Sequence, residues 1–414
     1  MGDDDVVTGD EGELMNDRDI VDRCEKDLVG LCREARRGGI TRRQFVERAL
    51  LLGLSATAVG ALAGACGEGE TPSETATLPP MDETTPEELV FYNWTDYFNP
   101  ALKKRFLKET GIKIREVYFS SNEELLAKLR AGAQGYDVIV PSDYMVHIMI
   151  KSGIIEPLDM DYLPNFQYVG EQFKAPSFDD PEENGGLKYS VPYFYGTTGY
   201  CQRLDKVPEP QTSWEPLWDE QYAKKINLLD DEREVLGMAL KKLGFSTNTL
   251  EQGELDQAKD ILIEQKPLVA TYDSINMKRS VVQGQYFVMC WDGDVLMAID
   301  TMGGDDEAKA LLHYALPEEG FCLWTDGMSL PVGNNSRYGA HLFMNWLMDP
   351  KIAGENANWV WYLSAISPAS HEYTDPFALT LAPTDEQLAM AEAFTDVGEF
   401  ATAYSEAWRQ VKSA

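Results

Sequence analysis

The hydrophobic pattern after residue 87 alternates between short apolar runs, which predict strands, and helical spacing. Leu89 to Tyr92 is the first apolar run. Asn99-Pro100 then opens a helix that Gly111 closes, because proline is favoured in the first helical turn and glycine just beyond the last. Three more elements follow: a strand over 112–119, a helix with a capping box of Ser121 and Glu124, and a strand over 136–140. This order predicts a mainly parallel sheet with helices on both faces.

The middle of the chain, from about Gly199 to Leu323, shows the same alternation. It predicts helices over 232–243 and 255–263 and strands over 268–271 and 286–291. About 325 residues follow the N-terminal region, which exceeds the size at which a single core usually stops growing. The sequence therefore predicts an α/β protein with two domains.

Aromatic rings and carboxylates occur together in four separate segments. They are Trp94, Asp96 and Tyr97 after the first strand, Asp143 and Tyr144 after the third, Trp291 with Asp292 and Asp294 at the end of another strand, and Trp324 near Asp326. Parallel sheets bind ligands beyond the carboxyl ends of their strands. An aromatic face attracts a cation by about 0.5 to 2 kcal/mol, and a charge-assisted hydrogen bond contributes about 1.5 to 3 kcal/mol. The pattern favours a site for an organic cation.

Two further acids, Asp231 and Glu234, stand three residues apart at the start of a predicted helix. That spacing lets both lie on one helix face, where they can join the same site. Acids in the first helical turn are also favoured by the helix dipole, so plain N-terminal capping remains an equal alternative.

The N-terminal region has the features of an export signal. Arg42-Arg43 precedes an uncharged run from Ala49 to Ala65, which is typical of a twin-arginine signal over residues 41–65. Small residues lead directly to Cys66, as at a bacterial lipoprotein cleavage site, although Leu62 lies one position further from the cysteine than usual. Ordinary cleavage near the same place is the alternative. Residues 1–40 form an acidic extension, and residues 66–87 are predicted to be a lipidated flexible tether.

The chain is strongly acidic, with 69 Asp and Glu against 36 Lys and Arg. Removal of residues 1–65, which hold 13 acids and 9 bases, leaves a net charge of about −29. Such a surface repels nucleic acids and anionic lipids, so we expect neither as a partner and expect membrane contact only through the lipid anchor. Solubility of an exported protein explains the acidity equally well.

Cysteine and histidine offer little chemistry. Cys201, Cys290 and Cys322 follow Cys66 without metal-type spacing, and the sequence cannot decide whether two of them form a disulfide. The four histidines are scattered. We expect no metal, no cofactor and no catalytic residue.

Five ordered motifs resemble the periplasmic spermidine/putrescine (polyamine) binding proteins of ABC transporters. They are Tyr92-Asn93-Trp94-Thr95-Asp96-Tyr97, Lys108-Glu109-Thr110-Gly111-Ile112-Lys113, Tyr136-Asp137-Val138-Ile139-Val140-Pro141-Ser142, Asp230-Asp231-Glu232-Arg233-Glu234-Val235 and Trp324-Thr325-Asp326. The resemblance runs from about Leu89 to the C-terminus. It implies a two-lobed periplasmic binding protein fold of type II, with hinge crossovers near 195–198 and 326–329 and a cleft between the lobes.

The resemblance also implies domains and site residues. Residues 88–196 and 328–376 would form the first lobe, and 197–327 and 377–414 the second. The ligand-binding residues would be Trp94, Thr95, Asp96, Tyr97, Ser142, Tyr144, Asp231, Glu234, Ser274, Trp291, Trp324 and Asp326. The partners would be a polyamine or related small cation and an ABC transporter permease, and the protein would act as a monomer in the periplasm or on the outer face of the cytoplasmic membrane.

Two positions depart from the family pattern. Ala365 stands where the family has a tyrosine, and Phe394 where it has a glutamine. Loss of two polar contacts should alter which amine fits. Asp292 and Asp294 also differ from the commoner neutral residues beside Trp291; they would either add affinity for another amino group or face solvent.

Other functions remain open. The same scaffold can bind an amino acid, a sugar or a carboxylate, or serve a sensor. An extracellular hydrolase would use Asp231 with Glu234, or Asp292 with Asp294, as an acid/base pair. However, residues three apart on one helix rarely flank a scissile bond, so we expect a binding protein and no enzyme.

Overall fold

The computed structural model describes Leu78 and Pro80 to Ala414. The predicted acidic extension, the export signal, Cys66 and the tether up to residue 77 lie outside these residues. Within the described part of the chain, no helix is both long and apolar enough to cross a bilayer.

Strands and helices alternate along the described chain. The strands are β1 (Glu88–Trp94), β2 (Lys113–Phe119), β3 (Val138–Ile139), β4 (Ile155–Glu156), β5 (Ser190–Arg203), β6 (Ile226–Leu228), β7 (Val269–Tyr272), β8 (Phe287–Trp291), β9 (Leu312–Ala315), β10 (Phe321–Pro331), β11 (Leu363–Ser364) and β12 (Ala391–Ala393). The α-helices are α1 (Pro100–Thr110), α2 (Asn122–Arg130), α3 (Asp143–Lys151), α4 (Glu171–Lys174), α5 (Glu232–Lys242), α6 (Gln252–Gln265), α7 (Met277–Val282), α8 (Asp292–Thr301), α9 (Asp306–Leu311), α10 (Arg337–Leu347), α11 (Pro350–Val360), α12 (Asp385–Leu388) and α13 (Ala401–Ser413). Short 3₁₀ turns connect several of them.

The elements predicted from the pattern are confirmed, with ends that differ by a few residues. Helix α1 begins after Asn99, whose side chain accepts a hydrogen bond from the Ala101 N–H, and ends at Gly111 with φ +80°. Only half of the predicted capping box forms at α2. Ser121 accepts from the Glu124 N–H, but the Glu124 carboxylate turns to the backbone N–H and hydroxyl of Ser120.

One mixed sheet, in the order β2-β1-β3-β10-β5-β8-β6-β7, runs through the protein. Strand β1 pairs in parallel with β2 and β3, and β6 pairs in parallel with β7 and β8, as a βαβ pattern requires. The two long strands β5 and β10 pair antiparallel with each other in the middle. The predicted parallel order therefore holds on each side, and the two central strands make the sheet mixed.

Two hydrophobic cores lie on either side of these central strands. Side chains of β5 join the first core up to Phe194 and the second core from Tyr200 onward. Strand β10 contributes Phe321 to the second core and Met328 to the first. The domain limits given above stay a prediction, but the paired strands are the chain's passage between the two cores.

The register of β10 changes between Thr325 and Gly327, opposite β5. Such a bulge places two residues of one strand, here Tyr193 and Phe194 of β5, opposite a single residue of the partner strand, which is Asp326. Asp326 does not pair with β5 and instead forms an isolated bridge with Ser142 at the end of the β3 segment. The bulge thus brings β10 to the same edge as the carboxyl end of β3.

The close packing where β5 passes between the two cores can be tested by substitution of Gly196. An added Cβ would lie 2.5 Å from Asp292 Oδ1 and 2.6 Å from Cζ2 of Trp324. We expect Gly196→Ala to lower the free energy of unfolding by about 1 to 3 kcal/mol, because overpacking forces neighbours apart. Gly253→Ala in α6 is the matched control, since nothing lies within 4 Å of its added Cβ. Equal urea midpoints for the two variants would contradict the prediction.

Candidate functional site

A cleft with about 870 Å³ of empty space, part of it open to solvent, lies where the carboxyl ends of β1, β3 and β8 meet the β5–β10 bulge. The twelve residues predicted from the sequence all line it. They are Trp94, Thr95, Asp96, Tyr97, Ser142, Tyr144, Asp231, Glu234, Ser274, Trp291, Trp324 and Asp326. The structure thus brings together segments that are up to 232 positions apart in the chain.

Asp326 is held in place by two hydroxyl groups. Tyr97 donates to Oδ2 and Ser142 donates to Oδ1, each at 2.7 Å. The Asn122 side chain donates to the Ser142 hydroxyl and accepts from the Ser142 N–H, both at 3.0 Å, which fixes the serine. Burial raises the pKa of Asp326 to about 6, and the two hydroxyl hydrogen bonds partly offset that effect.

Glu234 reaches the cleft from the first turn of α5. Its Oε1 accepts from the Trp291 indole N–H at 3.1 Å and from the Thr198 hydroxyl at 3.0 Å. Its Oε2 is buried and has no hydrogen-bond partner within the described residues. Burial, together with the nearby Asp231, raises the pKa of Glu234 to about 8. An unpartnered buried carboxylate oxygen is costly unless a donor or cation occupies the cleft.

Asp231 serves both roles that its sequence position allowed. Its Oδ1 caps α5 by accepting from the N–H groups of Arg233 and Glu234 at 3.0 and 3.1 Å, and the side chain also lines the cleft. Burial and the proximity of Glu123 raise the pKa of Asp231 to about 7. Capping therefore accounts for one of its oxygens only.

Large aromatic rings form the walls of the cleft. Trp94 and Trp291, from the ends of β1 and β8, lie with ring centroids 6.2 Å apart at 62°. Trp324 lies edge-on to Tyr362 at 5.3 Å, and its indole N–H is buried without a partner in the described part of the chain. Flat apolar surfaces of this kind suit methylene groups, while their faces attract cations.

The rim residues have other contacts. Asp96 adopts φ +57° in the turn after β1, and its carboxylate bonds the Lys278 ammonium at 2.5 Å. The Ser274 hydroxyl accepts from the Asp230 N–H at 2.8 Å, so it already supports the β6–α5 connection. Asp96 and Ser274 therefore each already have a partner within the protein.

Eleven lining residues were not singled out as site residues in the sequence. They are Phe119, Ser120, Asn122, Asp143, Arg233, Ile275, Met277, Lys278, Asp294, Tyr362 and Phe394. Asp294 had a usable signal, since it stands three residues after Trp291 in the first turn of α8. Lys278 and Tyr362 had none, because only tertiary packing brings α7 and the end of α11 to the cleft.

The aromatic side chain of Phe394, at a position where the family has glutamine, is explained by its contact with the Arg233 guanidinium. Arg233 is only 4% exposed and lies over the rings of Tyr144, Phe394 and Tyr404, at 5.2, 4.9 and 4.9 Å from their centroids. Phe394 therefore stabilises a resident cation at the edge of the cleft. Ala365 does not line the cleft; Tyr362, three residues earlier, does.

Asp292 and Asp294 are both buried, which excludes the expectation that they face solvent. Asp292 lies outside the cleft lining and accepts from the backbone N–H and hydroxyl of Thr197, so it fixes the passage of β5. The Oδ2 atom of Asp294 is buried without a partner among the described residues. Cys201, Cys290 and Cys322 are buried free thiols, and no disulfide joins them.

The charges have a simple arrangement along the cleft. Arg233 lies near Asp231 at one end and Lys278 lies near Asp294 at the other, where each lowers the carboxyl pKa against the effect of burial. The hydrogen bonds to Glu234 come instead from neutral indole and hydroxyl donors. The middle of the cleft therefore combines excess carboxylate with aromatic walls, which is an arrangement that binds a cation.

Comparison with known proteins identifies similar chains. A family model described as bacterial extracellular solute-binding protein matches residues 101–383. The spermidine/putrescine-binding periplasmic protein of Salmonella typhimurium is 34% identical over 334 residues, which are 79% of this chain and 92% of that protein. PotD, the spermidine/putrescine ABC transporter substrate-binding protein of Streptococcus pneumoniae, is 30% identical with a TM-score of 0.64, over 79% of this chain and 99% of that one. The Tp0655 (TpPotD) lipoprotein of Treponema pallidum is 27% identical with a TM-score of 0.69, over 78% and 99%.

These structures confirm the two-lobed α/β fold that the sequence predicted. In this fold the cleft between the lobes lies beside the crossover strands, where Asp326 and Gly196 are found here.

The raised pKa of Glu234 makes the stability of the unliganded protein depend on pH. Its pKa in the folded protein, about 8, exceeds the unfolded value of about 4.3. Its contribution to stability is therefore complete below about pH 4 and is lost as the pH rises through 8. We expect Glu234→Gln to raise the melting temperature at pH 8.5 and to have a smaller effect at pH 5. Glu264→Gln, an exposed change in α6, is the control; equal melting curves for the two variants at pH 8.5 would refute the prediction.

Proposed function

Since this chain belongs to the family of bacterial extracellular solute-binding proteins, we propose that it captures a polyamine, or a related organic cation, and delivers it to an ABC importer. The named relatives from Salmonella typhimurium and Streptococcus pneumoniae are described as spermidine/putrescine binding proteins. The proposal transfers that ligand class to this chain because its cleft has the chemistry that such a ligand requires.

The observation that carries the proposal is the excess of buried carboxylate in the middle of the cleft. Glu234 has one unpartnered oxygen, and both oxygens of Asp326 accept hydrogen bonds only from neutral hydroxyls. A buried ammonium must be paired and hydrogen-bonded, or its desolvation is prohibitive. Conversely, these carboxylates gain most from a ligand that brings positive charge.

The aromatic walls supply the second half of the recognition. A polyamine alternates charged amines with short methylene spacers, so it needs flat apolar surface between carboxylates. Trp94, Trp291 and Trp324 provide that surface on several sides of the cleft. A sugar would not require this concentration of carboxylates, and an anion would be repelled by it.

The observations favour binding over hydrolysis. Asp292, one member of a candidate acid/base pair, does not line the cleft and is occupied by Thr197. In the other pair, one carboxylate oxygen of Asp231 already accepts hydrogen bonds from two helix N–H groups. Raised carboxyl pKa values occur at binding sites as well as at catalytic ones. The proposal therefore assigns no catalytic residue.

The proposal includes export by the twin-arginine route and a lipid anchor on Cys66, with the folded part acting as a monomer on the outer face of the cytoplasmic membrane. The paired arginines, the uncharged run and the small residues before Cys66 support it. The similar protein of Treponema pallidum is named a lipoprotein. A receptor that feeds a signalling protein would use the same fold and the same site, and remains the alternative for its partner.

Calorimetric titration of the chain from Gly67 onward tests the ligand class. Spermidine, putrescine, agmatine and arginine are the probes, with maltose and citrate as neutral and anionic controls. We expect saturable one-to-one binding of an amine at micromolar affinity or better that survives added salt. Weak heat that salt abolishes would refute the proposal, because it would show attraction to the acidic surface without a site.

The same titration should depend on pH. A bound ammonium favours the ionised form of Glu234, whose pKa of about 8 leaves it mostly protonated at pH 7. We expect affinity to rise between pH 6 and 8.5, with proton release on binding below pH 8. Proton release is measured by repeating the titration in buffers of different ionisation enthalpy, and a pH-independent affinity would contradict this expectation.

Asp326→Asn tests the role of the central carboxylate. We expect it to weaken binding of the best amine by about tenfold or more, since a charge-assisted hydrogen bond contributes about 1.5 to 3 kcal/mol. Stability should change little, because the amide keeps the shape of the side chain and one of its acceptors. Asp260→Asn, an exposed change in α6, is the control. Unchanged affinity for Asp326→Asn would remove this residue from the site.

A further inference from the structure

Lys278 makes a contact that spans the mouth of the cleft. Its ammonium bonds Asp96 Oδ2 at 2.5 Å and lies 2.9 Å from the Met297 sulfur. Lys278 belongs to α7 and Met297 to α8, both packed on the second core, whereas Asp96 follows β1 of the first core. The lysine therefore reaches across from one lobe to the other.

A second carboxylate, that of Asp294, lines the cleft together with Lys278. Asp294 is buried and has an Oδ2 atom without a hydrogen-bond partner in the described part of the chain. Burial raises the pKa of Asp294 to about 6, and the charge of Lys278 is the main effect that opposes this rise. Asp96 is ion-paired with Lys278, whereas Asp294 has no ion pair in the described part of the chain but is acted on by the same charge, which belongs to the protein.

The chemistry of the lysine side chain matches that of the proposed ligand. Lysine ends in four methylene groups and an ammonium, which is the same aminobutyl unit that terminates spermidine or putrescine. It is also a flexible side chain, and it is about one quarter exposed, so it can leave. Arg233, the cation at the other end, is buried under three rings and hydrogen-bonded to Asn248 and the Thr395 carbonyl, so it is fixed.

We infer that Lys278 occupies an outer ammonium position of the cleft, between Asp96 and Asp294, and that a ligand amine must displace it to bind there. The inference rests on the proposed function, because it assumes an amine ligand. Lys278 is then a specificity-determining residue. It leaves the central position at Glu234 and Asp326 free and lowers affinity for amines that extend to the outer position.

Removal of the Lys278 charge tests whether this lysine competes with a ligand amine for the outer position. Lys278→Met keeps most of the apolar stem and abolishes the ammonium. We expect spermidine to bind about tenfold more tightly to this variant than to the unmodified protein, because its outer amine gains two vacated carboxylates. 1,3-Diaminopropane should gain less, since the shorter molecule cannot fill both the central and the outer positions. Lys259→Met, which removes a lysine that pairs with Asp256 on α6, should leave both affinities unchanged.

A double-variant cycle separates competition from a general opening of the cleft. In the Asp294→Asn background, Lys278→Met should gain clearly less affinity for spermidine, because only Asp96 of the two outer carboxylates remains. A gain of the same size in that background, or no gain in either, would overturn the inference. Failure of the unmodified protein to bind any amine would instead refute the proposed function, so the two failures are distinguishable. Melting curves of each variant establish that it is folded.

Discussion

The burial of several carboxylates in one cleft is the constraint on which the rest of the structure depends. Water is excluded from much of Asp231, Glu234, Asp294 and Asp326, yet the cleft lining of the described chain includes only two cationic side chains, Arg233 and Lys278. Three of these acids are held by specific contacts: Asp231 caps a helix, Glu234 accepts from an indole, and Asp326 accepts from two hydroxyls beside the β5–β10 bulge. Those contacts position the oxygens without neutralising their charge, so the chemistry of the cleft favours a cation.

The burial of these carboxylates lowers the stability of the unliganded protein and favours binding of a ligand that carries positive charge. In the absence of a ligand, burial raises the carboxyl pKa values, so that the folded protein opposes ionisation of Glu234 at neutral pH and of Asp326 in mildly acidic solution. A ligand with ammonium groups relieves that cost, so binding, ionisation and stability are coupled through the same atoms. Carboxyl groups of this kind would not persist in a core selected for stability alone.

The two resident cations have different consequences for motion of the lobes. Arg233 is enclosed by rings from α3, the segment after β12 and α13, so it acts as a fixed part of the wall. Lys278 joins Asp96 across the mouth, and an ion pair at a half-exposed rim contributes little, about 0 to 1 kcal/mol. A contact that weak can give way to a ligand, which suits a fold that closes on its ligand by hinge motion.

The sequence by itself determined the elements and the chemistry of the site. Helix α1 could be predicted because Pro100 and Gly111 act through local backbone geometry, and Trp94, Trp291 and Asp231 could be placed because strand ends and helix starts are local features. Even so, the sequence could not assign a role to Asp231, because its spacing from Glu234 fitted helix capping and ligand binding equally well.

The tertiary structure decided what depends on contacts between distant segments. The bulge that turns Asp326 into the cleft exists only because β10 pairs with β5, and Lys278 meets Asp96 only because the two lobes approach each other. Phe394 was interpreted from sequence as a lost polar contact, but it packs on Arg233, 161 positions earlier in the chain. Side-chain pairing over such separations leaves no periodic signal, because it follows from chain topology, whereas strand and helix patterns follow from the geometry of neighbouring residues.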